Sequence, residues 1–351
     1  MAFTTFLAGS VDGQPIEGFD IARGDTRVRL FSYGAVLNQL WRPDRKGCEA
    51  DIVLGYDQPD AYVTNRGNAG AVCGRHANRL AAGQFTLDGV DYQLACNDGA
   101  HHLHGGPKGF GKRVWGAVPD ASGHAVRFEL DSPHGDEGYP GHMTASVTYA
   151  LDTRGDLGIH IRASSDRNTI VNLVHHGYWN LTGHDSGSVL GQHLRIAAGY
   201  YTPVDADKIP LGTMRPVSGT PFNFRTLHPI GDRIEDAWPG GGYDHNFCLD
   251  ECAEDEPSVE AWDPVSGRAI AIHTNQPGLQ FYTANHFGAF PATGKGGAHY
   301  VRYAGFALET QGFPNSPNVS AFPSTVLTAG ETYRHDMLIR FSLKDVPEPK
   351  S

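Results

Sequence analysis

The chain has 351 residues, with 28 Lys and Arg against 39 Asp and Glu, a formal net charge of −11. That sign speaks against nucleic acid and anionic membranes as partners, since both are held by cations that neutralise phosphate. No run of 18 apolar residues is present to span a bilayer, and the opening MAFTTFLAGS lacks the basic start and long apolar stretch of a signal peptide. The cysteines, Cys48, Cys73, Cys96, Cys248 and Cys252, are odd in number and contain no C-x-x-C, which suggests neither a disulfide framework nor a zinc ribbon. Isolated cysteines fit a reducing compartment, so a cytoplasmic location is expected.

Gly (44) and Pro (22) are frequent and scattered, leaving few stretches long enough for a helix. Short runs rich in Val, Ile, Phe, Tyr and Thr lie between them. In chain order strands are predicted at Thr26 to Phe31, Gln84 to Leu94, Ala125 to Leu130, His142 to Leu151, Leu157 to Ala163, Leu279 to Thr283 and Tyr333 to Leu343. From Gln84 to Asp88 every second residue is apolar, and Asp88-Gly89 then supplies a hairpin turn. Asp232 to Trp238 is read as a short helix, and the acidic run Asp250 to Pro257 as a solvated loop. Many short strands without a repeat of 20–50 residues give an all-β fold, sandwich or barrel, as one domain over 1–351.

Five segments could carry chemistry. In Gly74 to Leu80, Arg79 is either a surface charge or a planar clamp for vicinal hydroxyls. In His101 to Gly106, His102 and His104 share a face if the segment is a strand, a metal half-site. No carboxylate follows within the next few residues to supply a third ligand, so no metal is expected. Read as one strand, Val171 to Leu181 aims Asn172, Val174, His176, Tyr178 and Asn180 to one side. That face carries groups suited to a sugar, whose hydroxyls need hydrogen bonds and whose ring stacks on aromatics. The alternative for His176 is a satisfied core histidine. Asp244, in Gly242 to Phe247, is a binding carboxylate or a turn former. Glu309 sits inside the apolar run from Gly305, as either a paired structural carboxylate or a base whose pKa burial has raised toward neutrality.

Together these pieces resemble the aldose 1-epimerases, the galactose mutarotases, from about Gly67 to Phe341. The motifs are GRHANR (Gly74 to Arg79), HLHGG (His102 to Gly106), VNLVHHGYWNL (Val171 to Leu181), TPFNFR (Thr220 to Arg225), GYDHNF (Gly242 to Phe247), LQFYTAN (Leu279 to Asn285) and LETQGFPNSPN (Leu308 to Asn318). Each is weak alone; seven in order are specific. The resemblance implies a large antiparallel β-sandwich with a sugar cleft on one face. It implies that Glu309 takes the proton from the C1 hydroxyl and His176 protonates the ring oxygen, with His104 near that oxygen. Asn78, Arg79, Asp244 and Gln280 match positions that bind sugar hydroxyls, and Tyr178 follows the acid two residues on. The chain departs from the usual pattern at Gly177, Trp179 and His76, which puts sugar preference in question.

One proton removed and one delivered suffice for ring opening, so no cofactor is expected, and neither a G-x-G-x-x-G nor a P-loop pattern is present. The expected partner is a free aldose. Two alternatives stand beside it. A hexose-6-phosphate mutarotase would need a basic cluster drawn from Arg225, Lys108, Lys112 and Arg113. A non-catalytic carbohydrate-binding protein would have no reason to keep both Glu309 and His176. The sequence is silent on oligomeric state.

Overall fold

In the computed structural model, which describes residues 3–64, 67–237, 241–289 and 293–345, the predicted runs are strands with nearly the expected limits. Ala125–Ser132, Met143–Leu151, Leu157–Ser165 and Thr332–Leu343 lie side by side, all antiparallel, in a nine-stranded sheet. Burial alternates along them: Val126, Phe128 and Leu130 point into the core while Arg127 and Glu129 face solvent. This is the pattern of an antiparallel sheet wet on one face. Gln84–Leu87 and Val90–Gln93 form the expected hairpin. Asp88 and Gly89 both have positive φ, 52° and 75°, as a two-residue turn matched to the strand twist requires.

Helix is nearly absent among the described residues. Ala61–Thr64 is a single α-turn, and the helix read at Asp232 to Trp238 is a 3-10 turn over Ile234–Asp236, with Trp238 outside the described residues. So short a segment gains too few hydrogen bonds to repay helix nucleation. The run Asp250 to Pro257 is irregular and mostly exposed, as expected.

Two further sheets complete the sandwich. Phe3–Val11, Gln14–Arg23, Thr26–Phe31, Val36–Pro43 and Glu49–Asp51 form a meander in chain order. The third sheet has six strands, in the order Tyr178–Trp179, Phe306–Gln311, Gly278–Tyr282, Asp244–Cys248, Tyr200–Thr202, Arg215–Pro216. One apolar cluster joins all three, with Phe19 and Leu30 from the meander, Val147 and Ile339 from the nine-stranded sheet, and Phe281 and Leu308 from the third.

The third sheet positions the site. Glu309 is paired opposite Gln280, and Gln280 opposite Asn246; Asp244 is opposite Tyr282. With a side-chain period of two, Leu308, Leu279, Phe281, Phe247 and Trp179 go to the core. Glu309, Gln280, Tyr282, Asp244 and Tyr178 share the other face.

The segment Val171 to Leu181 is not one strand. Val174–His175 pairs with Val72–Cys73, whereas Tyr178–Trp179 pairs with Phe306–Gln311, so the chain changes sheets at His176-Gly177. All residues from 171 to 180 are buried on both sides. The amides of the expected sugar face are spent on backbone. Asn172 bonds Ala77 and Gly312, and Asn180 bonds Gly187 and Ala304. Of that face, His176 and Tyr178 remain for the cleft. A Cβ at Gly177 would lie 2.6 Å from His175 Cε1, so a larger residue there needs that ring to shift.

Candidate active site

A cleft of about 670 Å³ opens over the polar face of the six-stranded sheet. Glu309 lies on its floor, in a strand with a neighbour on each side, and is only 2% exposed. Its Oε1 lies 3.5 Å from His176 Nε2, and its Oε2 has no hydrogen-bond partner among the described residues. Burial pushes Glu309 well above the usual carboxylate range; the charge of Asp244 adds to this and Arg79 opposes it. Burial moves His176 the other way, down to about 4. Each shift disfavours the charged form of its own group.

His104 completes the cluster, its ring 5.2 Å from that of His176. It leaves the strand His102–Leu103 with a positive φ of 51°, which turns its side chain away from that of His102. The expected shared face is therefore not formed. His102 is buried between Ala95 O and Tyr139 Oη, at 2.7 Å from each. His104 Nδ1 accepts the Asn78 N–H at 3.2 Å, and burial holds the ring well below the usual imidazole pKa, beside His176 and Arg79. A neutral ring whose Nδ1 accepts must carry its proton on Nε2, as a donor.

His104, His176 and Glu309 each offer one ligand atom, all within 4.8 Å of one another. The third ligand that the sequence failed to supply is thus present, because the relevant pair is His104 and His176 rather than His102 and His104. The donor set still fits a cation poorly. A ligating histidine keeps a lone pair for the metal and donates its other N–H to an acceptor. His104 has the reverse arrangement, its Nδ1 taken by the Asn78 N–H.

Around this floor stand groups that fit hydroxyls. Burial would raise the Asp244 carboxyl, but Lys208 and Arg79 outweigh it and hold the group well below the usual range. Lys208 Nζ lies 2.8 Å from Asp244 Oδ2, and Gln280 Nε2 donates to Oδ1 at 2.7 Å. Arg79 Nε donates to Asp98 at 2.8 Å. The Tyr178 ring packs beside His176 at 5.0 Å and edge-on to Phe287 at 4.8 Å, an aromatic wall. Asn78, Arg79, His104, Tyr178 and Asp244 all line the cleft with Glu309 and His176, whereas Gln280 does not and reaches the site through Asp244. Asp244 is in a strand rather than a turn.

Sequence reasoning missed several cleft residues, among them Lys208, Tyr282, His286 and His101. Tyr282 was accessible by parity, two residues beyond Gln280 on one strand. His286 and Lys208 lie in loops, where no periodicity marks which side chains turn inward. Arg75, next to the recognised Arg79, is structural: buried, it donates to Ser132, Pro133, Pro140 and Gly141.

Fold and site together define an antiparallel β-sandwich with acid–base groups at the floor of a polar cleft. The chain belongs to the aldose 1-epimerase family, whose model matches residues 19–340. It is 40% identical over 328 residues to the galactose mutarotase of Sus scrofa, covering 93% of this chain and 94% of that one. It is 34% identical over 329 residues to the aldose 1-epimerase of Escherichia coli K12, covering 92% and 94%. Among solved structures, an aldose epimerase homologue from C. elegans superposes with a TM-score of 0.87 at 30% identity, covering 93% of this chain and 98% of the other.

Proposed function

We infer that Glu309 and His176 are the base and acid with which this isomerase, an aldose 1-epimerase, interconverts the α and β anomers of a free aldose. The observation that carries the assignment is their contact, 3.5 Å between two buried side chains at the bottom of one cleft. The C1 hydroxyl and the ring oxygen hang on the same carbon, so acid and base must be neighbours rather than opposed across the cleft. In ring opening, Glu309 takes the C1 hydroxyl proton as His176 gives one to the ring oxygen. The C1–O5 bond breaks, C1 becomes an aldehyde, and rotation about C1–C2 exposes either face. Closing reverses both transfers. The pair holds one proton throughout, on imidazole before opening and on carboxyl after it, so no other proton donor or acceptor is needed.

The remaining groups orient the sugar. The Nε2–H of His104 donates to the ring oxygen, Arg79, Asn78 and Asp244 bind hydroxyls, and Gln280 acts by fixing Asp244. Neutral sugars are favoured over phosphates. Of the four cations that a phosphate site could recruit, only Lys112 lines the cleft, and Arg113 is paired with Asp136 at 2.9 Å. The core shared by the three sheets supports one domain over 1–351, and the free cysteines support a cytoplasmic location.

Polarimetry of freshly dissolved α-galactose and α-glucose tests the reading. The protein is expected to accelerate the approach to anomeric equilibrium, and Glu309→Gln and His176→Asn each to lower kcat by roughly a hundred- to ten-thousand-fold with the melting temperature kept. No acceleration with several free aldoses would sink the function; near-full rate in Glu309→Gln would sink the base assignment.

A further inference from the structure

We propose that Lys208 is a specificity-determining residue that donates a hydrogen bond to a sugar hydroxyl remote from C1, an inference that rests on the functional reading above. Its side chain is 18% exposed and lines the cleft. The loop that carries it is built to present it. The Asp205 carboxylate accepts the N–H groups of Asp207 and Ile209, both at 2.9 Å, and Asp205 O accepts that of Lys208 at 3.1 Å. A bridge between Val204 and Pro210 closes the loop at its base. At the tip Lys208 has a φ of 65°, left-handed backbone that a lysine adopts only against steric resistance. Strain of this kind at a cleft is retained where the surroundings hold the residue in one orientation.

The ammonium has three donors. One goes to Asp244 Oδ2 at 2.8 Å and one to His286 Nε2 at 3.1 Å. No partner for the third is found among the described residues. Asp244 is fixed from its other oxygen by Gln280, so the carboxylate and the ammonium form one rigid polar edge of the cleft. A hydroxyl that reaches this edge can give its proton to Asp244 and accept one from Lys208, and an epimer with that hydroxyl inverted does neither. Lys208 contacts Asp244 and His286 rather than His176 or Glu309, the pair that takes C1 in the functional reading.

The test compares wild type, Lys208→Met and Lys208→Arg in mutarotation of α-galactose and its 3-, 4- and 6-deoxy derivatives, followed by polarimetry. A lost hydrogen bond to a charged donor corresponds to roughly a tenfold or greater rise in KM. That rise is expected for Lys208→Met on galactose, with kcat nearly unchanged and part of the loss restored in Lys208→Arg. One deoxy sugar, already weakened in wild type, should show no further rise in Lys208→Met, because both changes remove the same contact. An unchanged KM overturns the inference. So does an equal penalty for every deoxy sugar in both proteins, which would mean that Lys208 acts only by orienting Asp244, and so does a fall in kcat that matches a fall in melting temperature. If wild type turns over no free aldose, the functional reading falls and this inference with it; wild-type turnover with an unchanged KM in the variant removes this inference alone.

Discussion

Burial acts in opposite directions on the two groups that must exchange a proton. It raises Glu309 well above the carboxylate range and lowers His176 to about 4. A single proton on the pair therefore rests on carboxyl, with the imidazole neutral. Ring opening begins from the other tautomer, so contacts made by the bound sugar must help move the proton to His176, against a gap that the opposed shifts widen. Activity needs one proton on the pair, which fixes the signs of the pH dependence. On the acid side a second proton must enter the pair, against the lowered His176; on the alkaline side the raised Glu309 must lose the only one. The expected kcat/KM profile has its acid limb near 4 and its alkaline limb above the ordinary Glu range, both belonging to the pair as a whole. An acid limb at the ordinary imidazole value of about 6.5 would show a solvated histidine and overturn the account. Glu309 was legible in the sequence because a carboxylate in an apolar strand is rare. Lys208 was not, since its inward aim depends on a left-handed backbone and an Asx turn rather than on any period.

Strands that alternate were readable where one face is wet, as in Met143–Leu151 and Thr332–Leu343. The reading failed at Val171 to Leu181, where both sides are covered and polarity no longer reports direction. There the asparagines serve backbone groups between elements, a need that depends on tertiary neighbours. A similar tie, with no mark in the sequence, holds the end of the meander. Lys295 is buried and donates to Asp51, to Asn38 O at 2.6 Å and to Val53 O at 2.8 Å; Asp51 Oδ1 in turn accepts the Leu40 N–H. Removing one member leaves the other charge buried and unpaired, which costs about 3–5 kcal/mol, whereas replacing both by apolar residues can be nearly neutral. Asp51→Leu and Lys295→Met are each expected to lower stability by that amount in chemical denaturation, and the double variant by clearly less than the sum. Additive losses would show that the two side chains are not coupled.

Across the whole molecule the buried histidines are expected to shape the response to mild acid. His76 and His175 are lowered to about 3 and His335 to about 4, like His176, each chiefly by burial. The unfolded chain takes up protons on these rings below about 6.5 while the folded chain does not. Their depressed values therefore add stability that is fully present above 6.5 and is lost progressively as pH falls toward 4. At pH 5 the loss is at most about 2 kcal/mol for each ring, against a total stability on the order of 5–15 kcal/mol. Glu309 works the other way, since its raised value costs stability above the ordinary Glu pKa and relieves that cost as pH falls, but it stands against these four rings and against His104, which burial also lowers. The melting temperature is accordingly expected to fall by several degrees between pH 7 and pH 5, well before ordinary carboxylates titrate. His175 isolates the cause. Neither ring nitrogen has a hydrogen-bond partner among the described residues, and the ring packs edge-on to Tyr149 at 5.9 Å, so it contributes packing and a titratable site. His175→Leu keeps an apolar side chain there and removes the titration. Its melting temperature should decline less steeply with pH between 6.5 and 4.5 than that of wild type. Parallel slopes in the two proteins would assign the acid sensitivity to groups other than the buried imidazoles.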